Sequence, residues 1–396
     1  MVELNTYLKQ ILFKEGVHEW TDIQKQSLPH SLNGEDILAE APAGSGKTYA
    51  YLLPILQNIK SQGKGKHLPV ACILAPTREL SVQISHVCRT LLAGKEGIRT
   101  AVLTGGIDIQ KQIRTFSKGA DIVIGTPSRI CDHIRRHTLK LKECSYFILD
   151  EADEMLSMGF REDVLNVMNH LPNQHQTMFF SATWNKEVET FAYSFLHEPF
   201  ECHIQKDTVL KQQLKCTKYI LPANKKLTTL LKVIHNFHTK TVVFTNRKKT
   251  ADFVSDFLNQ NHLKSCSIHS DMNYKARTQY MSEFRTGQHQ ILCATGVAER
   301  GIDIPDVELV ILYDLPDTQE ELIHRTARTG RANHIGHAIV FTLPYEQKKY
   351  NLDTMFNSMQ TVQISSTEYK NLQSNIYKSK KPLSHSNPKS KKNYKR

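Results

Sequence analysis

The chain has no apolar run approaching the ~18 residues that a membrane-crossing helix needs, so no helical membrane anchor is expected. It has no Cys-x-x-Cys pair either. Its eight cysteines, at positions 72, 88, 131, 144, 202, 216, 266 and 293, are scattered. That scatter suggests neither a zinc site nor a disulfide framework, and it reads as reduced thiols of an intracellular protein. No secretory leader is expected, because Leu4, Leu8, Ile11 and Leu12 recur at helical spacing between polar residues. A cytoplasmic location follows as the expectation, with the Lys-rich C-terminus leaving a nuclear address open.

Acids are missing from one stretch. Residues 378–396 contain no Asp or Glu and carry eight of the net +12 charges, so the rest of the chain is only mildly basic. A Ser/Pro/Asn/Lys segment with few apolar residues cannot bury enough surface to fold alone. It is expected to be a solvated, disordered tail, and as such it can also serve as a salt-dependent tether for nucleic acid phosphates.

At 396 residues and 40% hydrophobic content, the remainder suits two domains with sizeable cores. Short apolar runs alternate with longer amphipathic stretches: 36–41, 70–75, 100–103, 122–124, 146–149 and 177–180 in the first half. After a polar region near 203–215 the rhythm resumes at 241–245, 265–269, 291–294, 309–313 and 338–342. This is the pattern of strand–helix units building a parallel sheet covered on both faces, hence an α/β fold. The expected boundaries are domain 1 over 1–204, a linker over 205–213, domain 2 over 214–345, a partly helical extension over 346–377 and the tail over 378–396. No residue-level repeat links the halves.

Ala41-Pro42-Ala43-Gly44-Ser45-Gly46-Lys47-Thr48 stands where the first strand hands over to a helix. Gly44 and Gly46 let backbone N–H groups approach phosphate oxygens, Lys47 can reach the β and γ phosphates, and the Thr48 hydroxyl can face Mg2+. The apolar run 146–149 ends in Asp150 and Glu151, at the kind of strand end where ligands sit in open α/β sheets. Asp150 is suited to holding Mg2+ and Glu151 to orienting water and taking its proton. Together these motifs point to nucleoside triphosphate hydrolysis.

With Asp150-Glu151-Ala152-Asp153 the chain resembles the DEAD-box RNA helicases, and the match covers roughly residues 16–343. It extends to Pro76-Thr77-Arg78-Glu79-Leu80, Gly105-Gly106, Thr126-Pro127-Ser128-Arg129, Ser181-Ala182-Thr183 and Val243-Phe244-Thr245-Asn246. Arg300-Gly301-Ile302-Asp303 and the run from His324 to Arg331 complete the order.

The resemblance implies two tandem RecA-like domains in a monomer, which close on ATP and single-stranded RNA. It implies that Arg328 and Arg331 act as arginine fingers, that Asp303 contacts the ribose, and that Gln24 reads adenine. It places RNA backbone contacts at Thr77, Arg78, Gly106, Thr126, Arg129, Asn246, Arg277 and Thr295, with little sequence selectivity. Ser181, Thr183, Asp153 and His324 would couple hydrolysis to closure. Two other functions stay open at this point, an ATP-gated RNA clamp that hydrolyses slowly and a DNA-dependent motor.

The chain also departs from the family pattern. Val17 and Trp20 replace an aromatic and a proline near Gln24, Tyr274 replaces a glutamine, Ala327 replaces a glycine, and Glu299 replaces a small residue. Gly296 stands in place of an aspartate, and Gly296→Asp is therefore expected to raise RNA stimulation.

Overall fold

The computed structural model describes residues 3–42, 44–60, 68–93, 95, 97–204, 214–296, 307–326, 328–329, 336–346, 349–350 and 359–363, with backbone alone at Tyr274, Glu320 and His324. The expected sites Ala43, Asp303 and Arg331 lie outside these residues, as do the linker 205–213 and the tail 378–396.

The first unit begins with helices α1 (Thr6–Lys14) and α2 (Asp22–Leu32). Strand–helix units follow: β1 (Ile37–Glu40), α3 (Lys47–Asn58), β2 (Ala71–Leu74), α4 (Arg78–Leu91), β3 (Thr100–Leu103), α5 (Ile109–Phe116), β4 (Ile122–Gly125), α6 (Pro127–Arg135), β5 (Tyr146–Leu149), α7 (Ala152–Ser157), α8 (Arg161–Met168), β6 (Gln176–Ser181), α9 (Lys186–Ala192) and β7 (Phe200–His203). The sheet order is β3-β4-β2-β5-β6-β1-β7, and every pairing is parallel.

The second unit contains β8 (Leu214–Ile220), a 3-10 turn at Ala223–Lys225, α10 (Lys226–Phe237), β9 (Thr241–Thr245), α11 (Lys248–Gln260), β10 (Ser265–Ile268), α12 (Tyr274–Arg285), β11 (Ile291–Thr295), β12 (Leu309–Leu312), α13 (Gln319–Thr326), β13 (Gly336–Thr342) and β14 (Met359–Gln363). Its order is β10-β11-β9-β12-β13-β8-β14, again all parallel.

Alternate residues of a strand point to opposite faces, and each sheet accordingly divides two apolar cores. Ile37 and Ala39 pack on one side of β1 while Leu38 packs on the other; Val243 of β9 likewise opposes Val242 and Phe244. Burial on both faces explains why the central strands read as unbroken apolar runs, as in β2, β4 and β12.

Three strands are invisible to that pattern. β7, β8 and β14 contain exposed or half-exposed polar residues, and β14 lies inside the segment expected to be partly helical. Its residues form the sheet edge through backbone pairing with β8, from Met359 opposite Cys216 to Gln363 opposite Ile220. The second sheet therefore extends beyond residue 345, and the longest described stretch of the extension, Met359–Gln363, is a strand.

Because all strands run the same way, their C-terminal ends lie along one edge of each sheet. Ala41, Pro42, Gly44–Gly46, Thr77, Thr126, Asp150–Glu151 and Ser181 consequently line one rim of the first sheet, where ligands of open α/β sheets collect.

Candidate active site

The turn between β1 and α3 needs glycine at two places. Gly44 and Gly46 have φ of 77° and 96°, in the left-handed region that side chains disfavour. At Gly46 space is also short: a β-carbon would lie 2.4 Å from Gln24 Nε2 and 2.8 Å from Thr21 Oγ1. Gln24 uses both ends of its amide locally. Its Oε1 accepts from the Thr21 backbone N–H (3.0 Å) as half of a capping box on α2, and its Nε2 donates to the Gly46 carbonyl (3.0 Å). Gln24 thus ties α2 to the loop, and each end of its amide has the capacity for one further hydrogen bond.

Lys47 opens α3 and is buried, with its ammonium donating to the Ala41 carbonyl at 3.1 Å. One turn later, fully buried Tyr51 donates its hydroxyl to Asp150 Oδ2 at 2.8 Å. Burial raises the Asp150 carboxyl above its ordinary value, against the pull of Lys47 and of the Tyr51 hydrogen bond. The same burial, with Asp150 beside it, lifts the Tyr51 phenol well above its usual range. Glu151 sits at the N-cap of α7 with φ 54° and ψ 52°, a left-handed conformation that costs a non-glycine residue on the order of 1–3 kcal/mol. Its carboxyl is pushed up to about 7 by burial and by Asp150, and Lys47 and Arg328 pull it back only in part.

Arg328 belongs to the second unit, so the charge around Glu151 comes from both units. Twelve buried side-chain polar atoms meet no hydrogen-bond partner among the described residues, and Ser45 Oγ, Asp150 Oδ1 and Arg328 Nε are three of them. Such atoms are costly to leave unsatisfied, and these three belong to the glycine loop, to the Asp150–Glu151 pair and to an arginine that influences Glu151. Oxygen ligands suit a hard divalent cation, and Asp150 Oδ1 with the Thr48 hydroxyl provides that donor chemistry.

The Asp150–Asp153 segment is also wired to β6. Asp153 Oδ2 accepts from Thr183 Oγ1 at 2.7 Å and its Oδ1 from the Ala182 N–H at 3.5 Å, while Ser181 Oγ donates to the Thr183 carbonyl at 2.7 Å. Ser181 further accepts, through its backbone carbonyl, from the Ala41 N–H at 3.0 Å. The expected coupling residues Asp153, Ser181 and Thr183 therefore form one bonded unit against the phosphate loop. His324 is placed only by its backbone in α13.

The expected RNA contacts divide into two groups. Thr77 caps α4, accepting from the Leu80 N–H at 3.3 Å, and Thr126 is the N-cap of α6 with Pro127 at its first turn. Gly106 has φ 75°, and a β-carbon there would come within 3.0 Å of Arg78 Nη1. These residues share the rim where helix N-termini favour anions.

Arg129 and Arg277 are turned to protein partners instead. Arg129 Nη1 donates to the Ile107 carbonyl (2.9 Å) and to Gln112 Oε1 (2.7 Å). Gln112 is held in turn by His133 and by the Thr104 carbonyl, so the 104–107 turn is pinned from below. Burial and the nearby Arg129 lower the His133 imidazole to about 4, which keeps it neutral in this cluster. Arg277 Nη2 lies 3.0 Å from Glu79 Oε1, an ion pair between α12 and α4 that links the two units.

In the second sheet, Asn246 follows β9 and Thr295 ends β11, where it pairs with Thr245. Sequence reasoning missed Tyr51, Gln112, Lys226 and Asp314, and it placed Glu79 in a motif without giving it a role. Tyr51 carried a local signal, its position one helical turn after Lys47.

Comparison with known proteins bears directly on this arrangement. The model of the DEAD/DEAH box helicase family matches residues 21–191, and that of the helicase conserved C-terminal domain matches residues 225–333. The chain is 36% identical over 340 residues to DEAD-box ATP-dependent RNA helicase 20 of Arabidopsis thaliana, covering 85% of this chain and 68% of that protein. To the ATP-dependent RNA helicase DeaD of Haemophilus influenzae it is 38% identical over 327 residues, covering 82% of this chain but only 53% of that protein. The chain thus spans little more than half the length of this relative. The structure of S. cerevisiae Dbp5 bound to RNA and ADP BeF3 is similar with a TM-score of 0.80 at 26% identity, covering 95% of this chain and 98% of that one.

Fold and site define a tandem RecA-like nucleotide-binding protein. The chain belongs to the DEAD-box ATP-dependent RNA helicase family.

Proposed function

We propose that the protein is an RNA-stimulated ATPase that separates or remodels short RNA duplexes by closing its two units on ATP and single-stranded RNA. The observation that carries this reading is the convergence of Lys47, Asp150 and Glu151 from the first unit with Arg328 from the second. Each sheet alone holds only part of that charge arrangement.

In the proposed reaction Lys47 binds the β and γ phosphates while the loop N–H groups around Gly44–Gly46 orient them. Mg2+, held through Thr48 and Asp150, would neutralise phosphate charge when bound. Glu151 orients a water and takes its proton as the water oxygen bonds to the γ-phosphorus; the bond to the bridging oxygen breaks and ADP departs with that electron pair. A carboxyl lifted to about 7 is a stronger base than an ordinary glutamate at neutral pH. Arg328 and Arg331 stabilise the charge on the transferring group. Gln24 is assigned to the adenine edge and Asp303 to the ribose.

RNA backbone is assigned to Thr77, Arg78, Gly106 and Thr126 on the first unit and to Asn246 and Thr295 on the second. Arg129 and Arg277 act one step back: Arg129 fixes the 104–107 turn and Arg277 holds the two rims together through Glu79. The chain is read as a monomer. A cytoplasmic setting is supported by eight free, buried thiols, which suit a reducing compartment. No described helix is long and apolar enough to cross a membrane.

The test is ATP hydrolysis with and without single-stranded RNA, together with displacement of a short duplex. We expect RNA to stimulate hydrolysis and ATP to drive displacement, and Lys47→Ala to abolish both. An unchanged RNA-stimulated rate in Lys47→Ala would remove the site assignment. Duplex left intact during hydrolysis would favour an RNA clamp, and equal stimulation by DNA would favour a DNA motor.

A further inference from the structure

Gly296, directly after β11, stands where the family pattern has an aspartate, and from sequence that looks like a lost contact. Its surroundings reverse the reading. A β-carbon at Gly296 would lie 2.5 Å from Arg325 Nη2 and 3.3 Å from Glu321 Oε1. The volume a side chain would claim is therefore taken by a guanidinium and a carboxylate from α13.

Arg325 is held on several sides. It is 2% exposed, lies over the Phe244 ring at 5.6 Å, and has Nη2 3.7 Å from Glu321 Oε2. Its Nη1 donates to Asn246 Oδ1 at 3.0 Å. Asn246 is fixed further by its backbone N–H on Asp314 Oδ2 (3.2 Å) and its Nδ2 on the Leu315 carbonyl (2.8 Å). A guanidinium so placed cannot yield to a new side chain without disturbing Asn246, and a second carboxylate beside the partly buried Glu321 adds like-charge repulsion.

We propose that Glu321 is a positioning residue whose carboxylate, delivered from α13, does the work of the side chain absent at Gly296. It holds Arg325, and Arg325 presents Asn246 to the RNA backbone. Gly296 and Glu321 are thus an exchanged pair: the carboxylate has moved from the end of β11 to α13, and glycine leaves the room. Gly296→Asp consequently impairs the protein instead of improving it. The inference rests on the reading of the protein as an RNA-stimulated ATPase.

Four full-length proteins test it: the unaltered chain, Glu321→Gln, Gly296→Asp, and the double variant. ATP hydrolysis is measured against poly(U) concentration and against ATP concentration, and thermal unfolding is followed for each. Each single variant should raise the poly(U) concentration for half-maximal stimulation about tenfold and leave the ATP KM within about twofold, the size of effect expected for one coupled contact. The double variant should return to within about threefold of the unaltered chain and melt above both singles.

A double variant as impaired as the product of the singles, or a Gly296→Asp protein that responds to less RNA, overturns the exchange. If RNA stimulates none of the four proteins, the functional reading falls, and the melting order still decides the exchange: a double variant melting below both singles refutes it.

Discussion

Numbered from the first strand of each unit, both sheets run in the same order, third–fourth–second–fifth–sixth–first–seventh, with every pairing parallel. Corresponding positions can therefore be compared directly. In the first sheet, strand one leads through a glycine loop to Lys47 at the start of α3, and strand five is followed by Asp150. In the second, strand one leads through Pro222 and a 3-10 turn to Lys226 at the start of α10, and strand five is followed at the second residue by Asp314.

The lysine and the acid recur, but their relation differs. Lys47 bonds the Ala41 carbonyl and leaves Asp150 Oδ1 without a hydrogen bond among the described residues, whereas Lys226 Nζ bonds Asp314 Oδ1 directly at 2.8 Å. Lys226 also lies 4.9 Å from the centroid of the Tyr313 ring, and Asp314 is claimed again by the Asn246 N–H. The first sheet keeps its charges apart, ready for phosphate. The second has closed the equivalent position on itself and uses it to brace Asn246.

The largest effect expected from this contrast is at Glu151. Glu151→Gln should cut turnover about a thousandfold, the scale of losing a general base. It should also stabilise the fold. The folded-state carboxyl is raised to about 7, so the folded protein binds this proton more tightly than the unfolded chain does. Keeping Glu151 ionised therefore costs stability above pH 7, and the cost fades as the pH falls toward the ordinary glutamate value near 4.5. The variant should gain on the order of 2 kcal/mol at pH 8 and almost nothing at pH 4.5. Denaturant unfolding at the two pH values checks this, and equal gains at both would break it. The same base should make the rate of the unaltered protein rise with pH through about 7.

Lys226→Ala should show the opposite signature, a loss of about 2 kcal/mol of stability with the ATP KM unchanged, because it strips a largely buried partner from Asp314. A raised KM with intact stability would mean that the second position still serves nucleotide.

The smallest effect concerns the link between units. Glu79→Arg and Arg277→Glu should each lower RNA-stimulated turnover about fivefold, and the double reversal should restore most of it by re-forming the pair in the opposite sense. Additive losses would remove Arg277 from the closure.

How much of this could be read from sequence depends on how local each feature is. Gly44, Gly46, Lys47, Thr48, Asp150 and Glu151 belong to short contiguous motifs whose chemistry shows in residue order. The central strands were equally legible because burial on both faces makes them continuous apolar runs. β7, β8 and β14 were not, since edge strands are held by backbone pairing and place few demands on side chains.

The inward turn of Arg129 depends on Gln112, 17 residues away, and the Lys226–Asp314 pair spans 88 residues. No periodicity reports such contacts. Gly296 was visible as a departure, but its meaning lay in Arg325, which only the packing of α13 against the end of β11 could supply.

Isothermal titration of nucleotide onto the unaltered chain, Lys47→Ala and Lys226→Ala tests the central contrast most directly. The account predicts one ATP per chain for the unaltered protein and for Lys226→Ala, and no binding for Lys47→Ala. Two ATP per chain, or binding lost in Lys226→Ala while retained in Lys47→Ala, would contradict it.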